Sequence, residues 1–443
     1  MSAVVQEVAA EPGVSPAPII ASKTVVSRRD ARRNYLIFFV DGFGFPLGLS
    51  VISASTIIPL LLTQLGASNL VIGLIPALQN LGSMAPGILV APFIERVPFK
   101  RRWLVGVGIG ERLVILSVAF AIMALGASRP DALIAYIIGA WTLFHTLSGI
   151  NLPSYFCLVS KCIPAEQRGG LYGWSGAVGG VLGVLGAQAA GVILVRTAFP
   201  TGFAWLFAIA FVVLTATLIP FLWTVEPRDV PSRDRRTLRE YSGAAARMLR
   251  TDSNLAGVIA ALGLMSFALT ATSFYSTYAV RVLGAGAIDV ARFTAVSIGV
   301  TVVTSPLLGR VADRHGHRTV LEMSAASFAA AAALAFLAQS VAAVYVVLGL
   351  AYVGMSGLAV SQTLILTECA PSHQDVIMYT SVSWLLLAPV RTVAPIVAGW
   401  ISDALGFGFM FGVTLGAGLL TMAVLRLWAR EPRAAQGRTT QPW

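Results

Sequence analysis

Gly309-Arg310-Val311-Ala312-Asp313-Arg314-His315-Gly316-His317-Arg318 is a charged loop set between two apolar runs, 288–309 and 319–338. A run of about 20 apolar residues is long enough to cross the hydrocarbon core of a bilayer. Outward from this loop the same reading gives twelve such runs: 34–62, 69–94, 103–125, 132–158, 171–195, 203–224, 254–280, 288–309, 319–338, 341–367, 376–400 and 407–428. Charged residues are 12% of the chain and hydrophobic residues 56%; an ordinary soluble domain has about twice that charged share. A water-soluble fold could not hide so much apolar surface, so lipid must cover it. The predicted fold class is an all-α membrane protein of twelve transmembrane helices in two six-helix bundles.

The net charge of +11 does not point to nucleic acid, because the charges lie between apolar runs rather than on one face. They set orientation instead. With the N-terminus inside, 25 of the 31 basic residues fall on inner segments. Arg129, Arg196, Arg281 and Arg292 fall outside, and Arg112 and Arg391 lie within spans. The expected organisation is a disordered cytoplasmic tail (1–33), a six-helix half (34–224), an arginine-rich cytoplasmic linker (225–253), a second half (254–429) and a cytoplasmic tail (430–443). The first run is too long for a cleavable signal peptide and lacks a cleavage site. The expected location is a cell membrane, the plasma or inner membrane of a bacterium, with both termini cytoplasmic. Cys157, Cys162 and Cys369 have no metal-ligand spacing, and no cofactor is expected.

The halves repeat. Cys162, Pro164, Gln167 and Tyr172 follow the fourth run, and Cys369, Pro371, Gln374 and Tyr379 follow the tenth, each pair offset by 207 residues. Glu95-Arg96 and Asp313-Arg314 occupy equivalent loops at an offset of 218. Two parallel halves about an axis along the membrane normal are one plan for a transporter.

The loop that opened this reading resembles the Gly-x-x-x-Asp-Arg-x-Gly-Arg-Arg signature of the major facilitator superfamily. Gly309, Asp313, Arg314, Gly316 and Arg318 match, and His317 replaces a basic residue. The first-half copy is degenerate, with Ala91, Glu95, Arg96, Pro98 and Lys100 at the corresponding places. The resemblance covers residues 34 to 430 and implies a loop that latches the halves in one conformation and is released in the other. On physical grounds Gly309 is expected to allow close helix approach, Gly316 to make a tight turn, and Asp313 to face a helix N-terminus. Gly186 and Gly191 in the fifth run match two glycines of the family's antiporter signature without its proline. The glycines of that run (Gly173, Gly176, Gly179, Gly180, Gly183, Gly186, Gly191) read either as close packing or as a mark of efflux.

A charge at the bilayer centre costs about 2.5–3.5 kcal/mol on insertion scales, so each deep polar group is a candidate. Asp41, with Gly42, Gly44 and Pro46 expected to loosen its helix, reads as a proton or cation site, or as an ion-pair partner of Arg112. Glu111 and Arg112 point about 100° apart as helical neighbours and are expected to pair towards helix 1 or 2. Arg391 reads as an anchor for an anionic group, as a partner of Asp41 or Glu111, or as a lock on carbonyls freed by Pro389 and Pro395. His145, Asn151, Gln79 and Asn80 are further polar candidates, His145 with a structural reading beside the titrating one. Phe274, Tyr275, Tyr278 and Gln362 read as cavity wall or as packing. Glu368 reads as a gate or loop partner.

No P-loop occurs, and no metal set or nucleophile elbow points to an enzyme. The polar tails are short for a signalling domain, which weighs against a sensor or receptor that binds without translocating. The expected function is secondary transport by alternating access around a central site. Its expected partners are a small-molecule substrate, protons and the lipid bilayer, with no nucleic acid and the protein acting as a monomer. Asp41 and the glycine-rich fifth helix favour proton-coupled export of an amphipathic or drug-like compound. The alternative is proton-coupled uptake of a small anionic metabolite anchored on Arg391.

Overall fold

In a computed structural model, residues 28–94, 97–126, 128–227, 251–370 and 376–431 are described. Glu95, Arg96, Pro371, Gln374, most of the central segment 225–253 and nearly all of both expected tails lie outside them. Twelve spans run up and down. Span 1 is Arg28–Val51 continued by Ile57–Gln64; span 2 is Asn69–Ile94; span 3 is Lys100–Leu125; span 4 is Pro130–Cys162. Span 5 is Ala165–Arg196, and span 6 is Thr201–Leu218 closed by a 3-10 turn, Ile219–Trp223. Span 7 is Ser253–Thr270 continued by Thr272–Arg281; span 8 is Ala287–His315; span 9 is His317–Leu337. Span 10 is Val341–Glu368, span 11 Val376–Ala404 and span 12 Gly406–Leu427. Helix is the expected outcome, because hydrocarbon leaves backbone groups no partner outside the chain. Eleven of these spans are long and apolar enough to cross a membrane; the other, Asn69–Ile94, has 26 residues and no charge.

Span 1 differs from its sequence reading in two ways. It already includes Arg28, inside the segment read as tail, which sets Asp41 at least about 20 Å along the helix rather than about 10 Å. Its helix also runs unbroken through Asp41, Gly42, Gly44 and Pro46. Gly42 and Gly44 instead admit neighbours: a Cβ at either would collide with Ser175 or Thr217. The interruption falls at 52–56, within a serine-rich stretch where Ser50 bonds the Leu47 carbonyl at 2.7 Å and Ser53, Ser55 and Thr56 bond other side chains. Pro59 also lacks the amide that would bond back to Ser55. Span 7 is interrupted at Ala271, beside Thr270, whose hydroxyl bonds the Phe267 carbonyl at 2.7 Å.

Packing follows the duplication. Within the first half, spans 1·5, 1·6, 2·4, 3·4 and 3·6 pack together, and 7·11, 7·12, 8·10, 9·10 and 9·12 repeat each pairing six spans later. Two main seams join the halves, 2·11 and 5·8, and the pseudo-two-fold exchanges them. Both depend on missing side chains. A Cβ at Gly399 would stand 2.6 Å from the Asn69 carbonyl oxygen, and one at Gly73 would overlap that of Pro395. Gly180 meets Val302 and Gly191 meets Ala291 in the other seam. Gly179, Gly180, Gly183, Gly186 and Gly191 of span 5 are thus points of close approach, whereas Gly173 and Gly176 have nothing within 4 Å of a Cβ.

Gly399→Ala should cost about 1–3 kcal/mol through overpacking against backbone, read as a lower thermal midpoint of the purified protein. Gly263→Ala, where nothing lies within 4 Å, should not. Equal midpoints would remove the glycine seam from the account.

Candidate functional site

Three polar assemblies lie within the bundle. The first joins spans 1, 3, 4 and 6. Asp41, Glu111 and Arg112 are 9%, 2% and 4% exposed. Arg112 does not pair with Asp41 within ion-pair distance among the described residues; its Nη1 folds back onto Glu111. Its Nε donates to the Leu214 carbonyl at 3.2 Å, and its guanidinium lies 5.7 Å from the Phe45 ring centre. The adjacent residues were expected to diverge, but the long arginine side chain curls round the 100° between them. Asn151 donates to Glu111 Oε1 at 3.2 Å. Asp41 lies beside Thr217, whose hydroxyl donates to the Leu214 carbonyl at 3.1 Å.

The second assembly sits between the halves near mid-membrane. Arg391 Nη2 donates to Gln362 Oε1 at 2.6 Å. Its guanidinium lies 4.7 Å from the Trp384 ring centre, and Asn80 of the other half donates to its backbone carbonyl at 3.2 Å. No described carboxylate pairs with it, and its Nε is buried without a hydrogen-bond partner. Neither a lock on proline-freed carbonyls nor a pair with Asp41 or Glu111 is formed.

The third is a cavity of about 400 Å³ where spans 1, 5, 8 and 10 meet. Ser53, Ser55, Thr294, Thr301 and Tyr352 line it, with Leu49, Ile298 and the glycine face of span 5. Hydroxyls bridge the halves here: Ser55 with Tyr352 at 3.0 Å and Thr56 with Thr294 at 2.5 Å. The sequence reading passed over these residues, although the run Ser50-Val51-Ile52-Ser53-Ala54-Ser55-Thr56 is unusually polar for a spanning segment.

Other candidates lie apart from the cavity. His145 bonds Ser83 at 3.2 Å between the rings of Trp141 and Phe144. It faces span 2, away from Asn151. Tyr275 and Tyr278 pack on Phe411 of span 12, and Tyr278 donates to the Ala338 carbonyl at 2.7 Å. Neither lines the cavity between the halves.

The loop motif keeps its turn but not all its expected contacts. Gly316 has φ +89°, a conformation that favours glycine. Nothing lies within 4 Å of a Cβ at Gly309, so that glycine is not a close-approach point. The carboxylate at the start of span 9 is that of Glu431, which accepts from the Arg318 amide at 3.0 Å. Asp313 and Arg314 are exposed, and Arg318 also bonds Glu322 at 3.0 Å. His317 is buried between Ser361 at 3.2 Å and Glu368 at 3.6 Å. The first half has the same device: Glu226 accepts from the amides of Lys100 and Arg101 at 2.8 and 2.9 Å. Glu226 and Glu431 belong to a repeat the sequence reading missed, Leu222-Trp223-x-x-Glu226-Pro227-Arg228 and Leu427-Trp428-x-x-Glu431-Pro432-Arg433, offset by 205.

At the end opposite the basic loops the halves are stitched together. Asp403 accepts from the amides of Asn69 and Leu70 at 2.9 and 2.7 Å. Arg281 donates to Asn69 Oδ1 at 2.6 Å and to the Ala67 carbonyl. Further hydrogen bonds between the halves lie at the cavity and at Asn80. Among the described residues the halves are thus joined at the end opposite the basic loops, above the cavity.

A duplicated twelve-span bundle, sealed at one end around an inter-half cavity, is built as a secondary transporter. The chain belongs to the major facilitator superfamily: the family model described as "Major Facilitator Superfamily" matches residues 35–374 and 292–442. Among solved structures it is similar to a D-xylose–proton symporter (16% identity, TM-score 0.67, covering 91% of this chain and 98% of that one). It is also similar to an inward-facing, unoccupied bacterial homologue of the human lysosomal transporter Spinster (15%, 0.64, 93% and 98%). A variant of the nucleoside transporter NupG is similar too (12%, 0.66, 90% and 99%). Comparison with curated proteins finds no match.

Removing Asp403 deletes two hydrogen bonds to a charged acceptor, each worth about 1.5–3 kcal/mol. Asp403→Ala should therefore speed labelling of a Ser53→Cys reporter by an impermeant maleimide, applied from the sealed side, by about tenfold or more. Unchanged labelling would mean that Asp403 does not hold this end shut.

Proposed function

We propose that the protein couples proton movement to export of a small amphipathic solute, with its basic end and both termini in the cytoplasm. In that orientation the end joined through Asp403 and Arg281 is the outer one. The observation that carries the reading is Asp41, 9% exposed and about 20 Å along span 1. Arg112, its nearest cation, is committed to Glu111. Two carboxyls and one guanidinium in a low-dielectric interior reach zero net charge when one proton is bound, and a charge uncompensated there is costly. The cavity's volume fits the range of about 300–1,000 Å³ for small-molecule sites, and its hydroxyls and apolar faces suit an uncharged amphiphile.

Asp41→Asn, which keeps the shape and fixes the charge, should abolish substrate-driven proton flux in proteoliposomes while substrate still binds. The compound would come from a thermal-shift screen of the purified protein, and the flux would be read with an entrapped pH dye. Wild-type flux in the variant would end the proton-coupling proposal. Opposite substrate gradients in the same vesicles report direction, and accumulation only towards the basic end would replace export by uptake.

Arg391 supports a second reading, uptake of a small anion. It is a mid-membrane cation with no described carboxylate and with one donor unspent. If it anchors substrate, Arg391→Gln should weaken binding of a carboxylate-bearing ligand by about tenfold or more and leave its amide analogue unaffected. Equal weakening of both would make Arg391 structural.

A further inference from the structure

We propose that the start of span 1 is a binding site for one anionic phospholipid of the leaflet at the basic end. Arg28, Arg29, Arg32 and Arg33 rim a groove of about 670 Å³ whose floor is Leu36, Ile37, Val40 and Pro220. Arg29, Arg33, Leu36 and Val40 are spaced four, three and four apart, which sets them on one helix face. From Arg29 to Val40 is about 16 Å, close to one leaflet's hydrocarbon depth of about 15 Å. The upper end is cationic and the lower end apolar, and Leu36 is 55% exposed. This is the polarity of a phospholipid laid along the helix, headgroup on the guanidiniums and acyl chain over the leucine.

The charges argue for an anion in particular. Four arginines crowd one short stretch of helix, Arg28 to Arg33. Among the described residues only Arg33 of these is paired, with Asp30 at 3.1 Å. The positive-inside preference accounts for basic residues on this side, but loop positions would meet it equally well. It does not account for placing them around a groove with an apolar floor. An anionic headgroup relieves their mutual repulsion, and juxtamembrane basic clusters attract such lipids.

The test is native mass spectrometry of the full-length, delipidated protein titrated with phosphatidylglycerol or phosphatidylcholine of equal chain length. Wild type should bind one phosphatidylglycerol at least about tenfold more tightly than phosphatidylcholine. The Arg28→Gln/Arg29→Gln/Arg32→Gln variant should lose that preference, and the corresponding triple Lys variant should keep it. Should the triple Gln variant fail to fold, Arg29→Gln and Leu36→Asp alone should each reduce it. A preference that persists in the Gln variants would overturn the site. So would displacement of the lipid by an equal concentration of inorganic phosphate, which would make the ligand a soluble anion.

Discussion

Hydrocarbon offers no hydrogen bonds, so a polar group inside the spans that finds no partner in the protein is costly. That constraint explains how the deep charges are arranged. Arg112 spends its donors on Glu111, on the Gly108 carbonyl and on the Leu214 carbonyl. Arg391 is answered by one amide and one indole face. The same need for partners holds the sealed end, where the Asp403 carboxylate takes the two amides that the first turn of span 2 cannot use within its own helix.

The duplication governs packing more strictly than chemistry. Helix pairings recur six spans on because small residues and apolar faces are all they require. The caps recur as well: Glu226 begins span 3 as Glu431 begins span 9. The deep charges do not recur. The first half holds two carboxyls and an arginine between its own helices, and the second holds one arginine at the boundary between halves. A two-fold bundle can rock about its axis with either half's chemistry, so nothing in the packing forces the charges to match.

Much of this was legible in the sequence. Twelve spans follow from hydropathy, and the loop around Gly316 follows from the one residue type that accepts its φ. Other features were hidden for identifiable reasons. The helical residues from Arg28 to Arg33 were missed because they are charged and carry no apolar signal. Tyr275 and Tyr278 could not be assigned a face, since a span apolar all round gives periodicity little to work with. The Glu111–Arg112 pair was discounted by treating side chains as fixed directions, which holds poorly for arginine. The Leu-Trp-x-x-Glu-Pro-Arg repeat was readable, but it lies just past the apolar runs where attention stopped.

Span 1 gives these parts their order. Along it come the arginine rim, then Asp41, then the cavity serines and the interruption at 52–56, and beyond the short helix to Gln64 the residues of the seal, Ala67 to Leu70. Its first helix is held at Gly44 and Gly48, where Thr217 and Leu214 of span 6 leave no room for a Cβ. The short helix beyond the interruption packs mainly on spans 7 and 8 of the other half, with a smaller contact to span 2. One chain segment is therefore fixed to the first half at its lower part and to the second at its upper part, with the interruption between them at the cavity. Separating the halves at this end must either bend the chain at 52–56 or part the short helix from spans 7 and 8. Ser53 and Ser55, which line the cavity, lie within those few residues, so the cavity wall is built from the one stretch of span 1 where the helix is already broken.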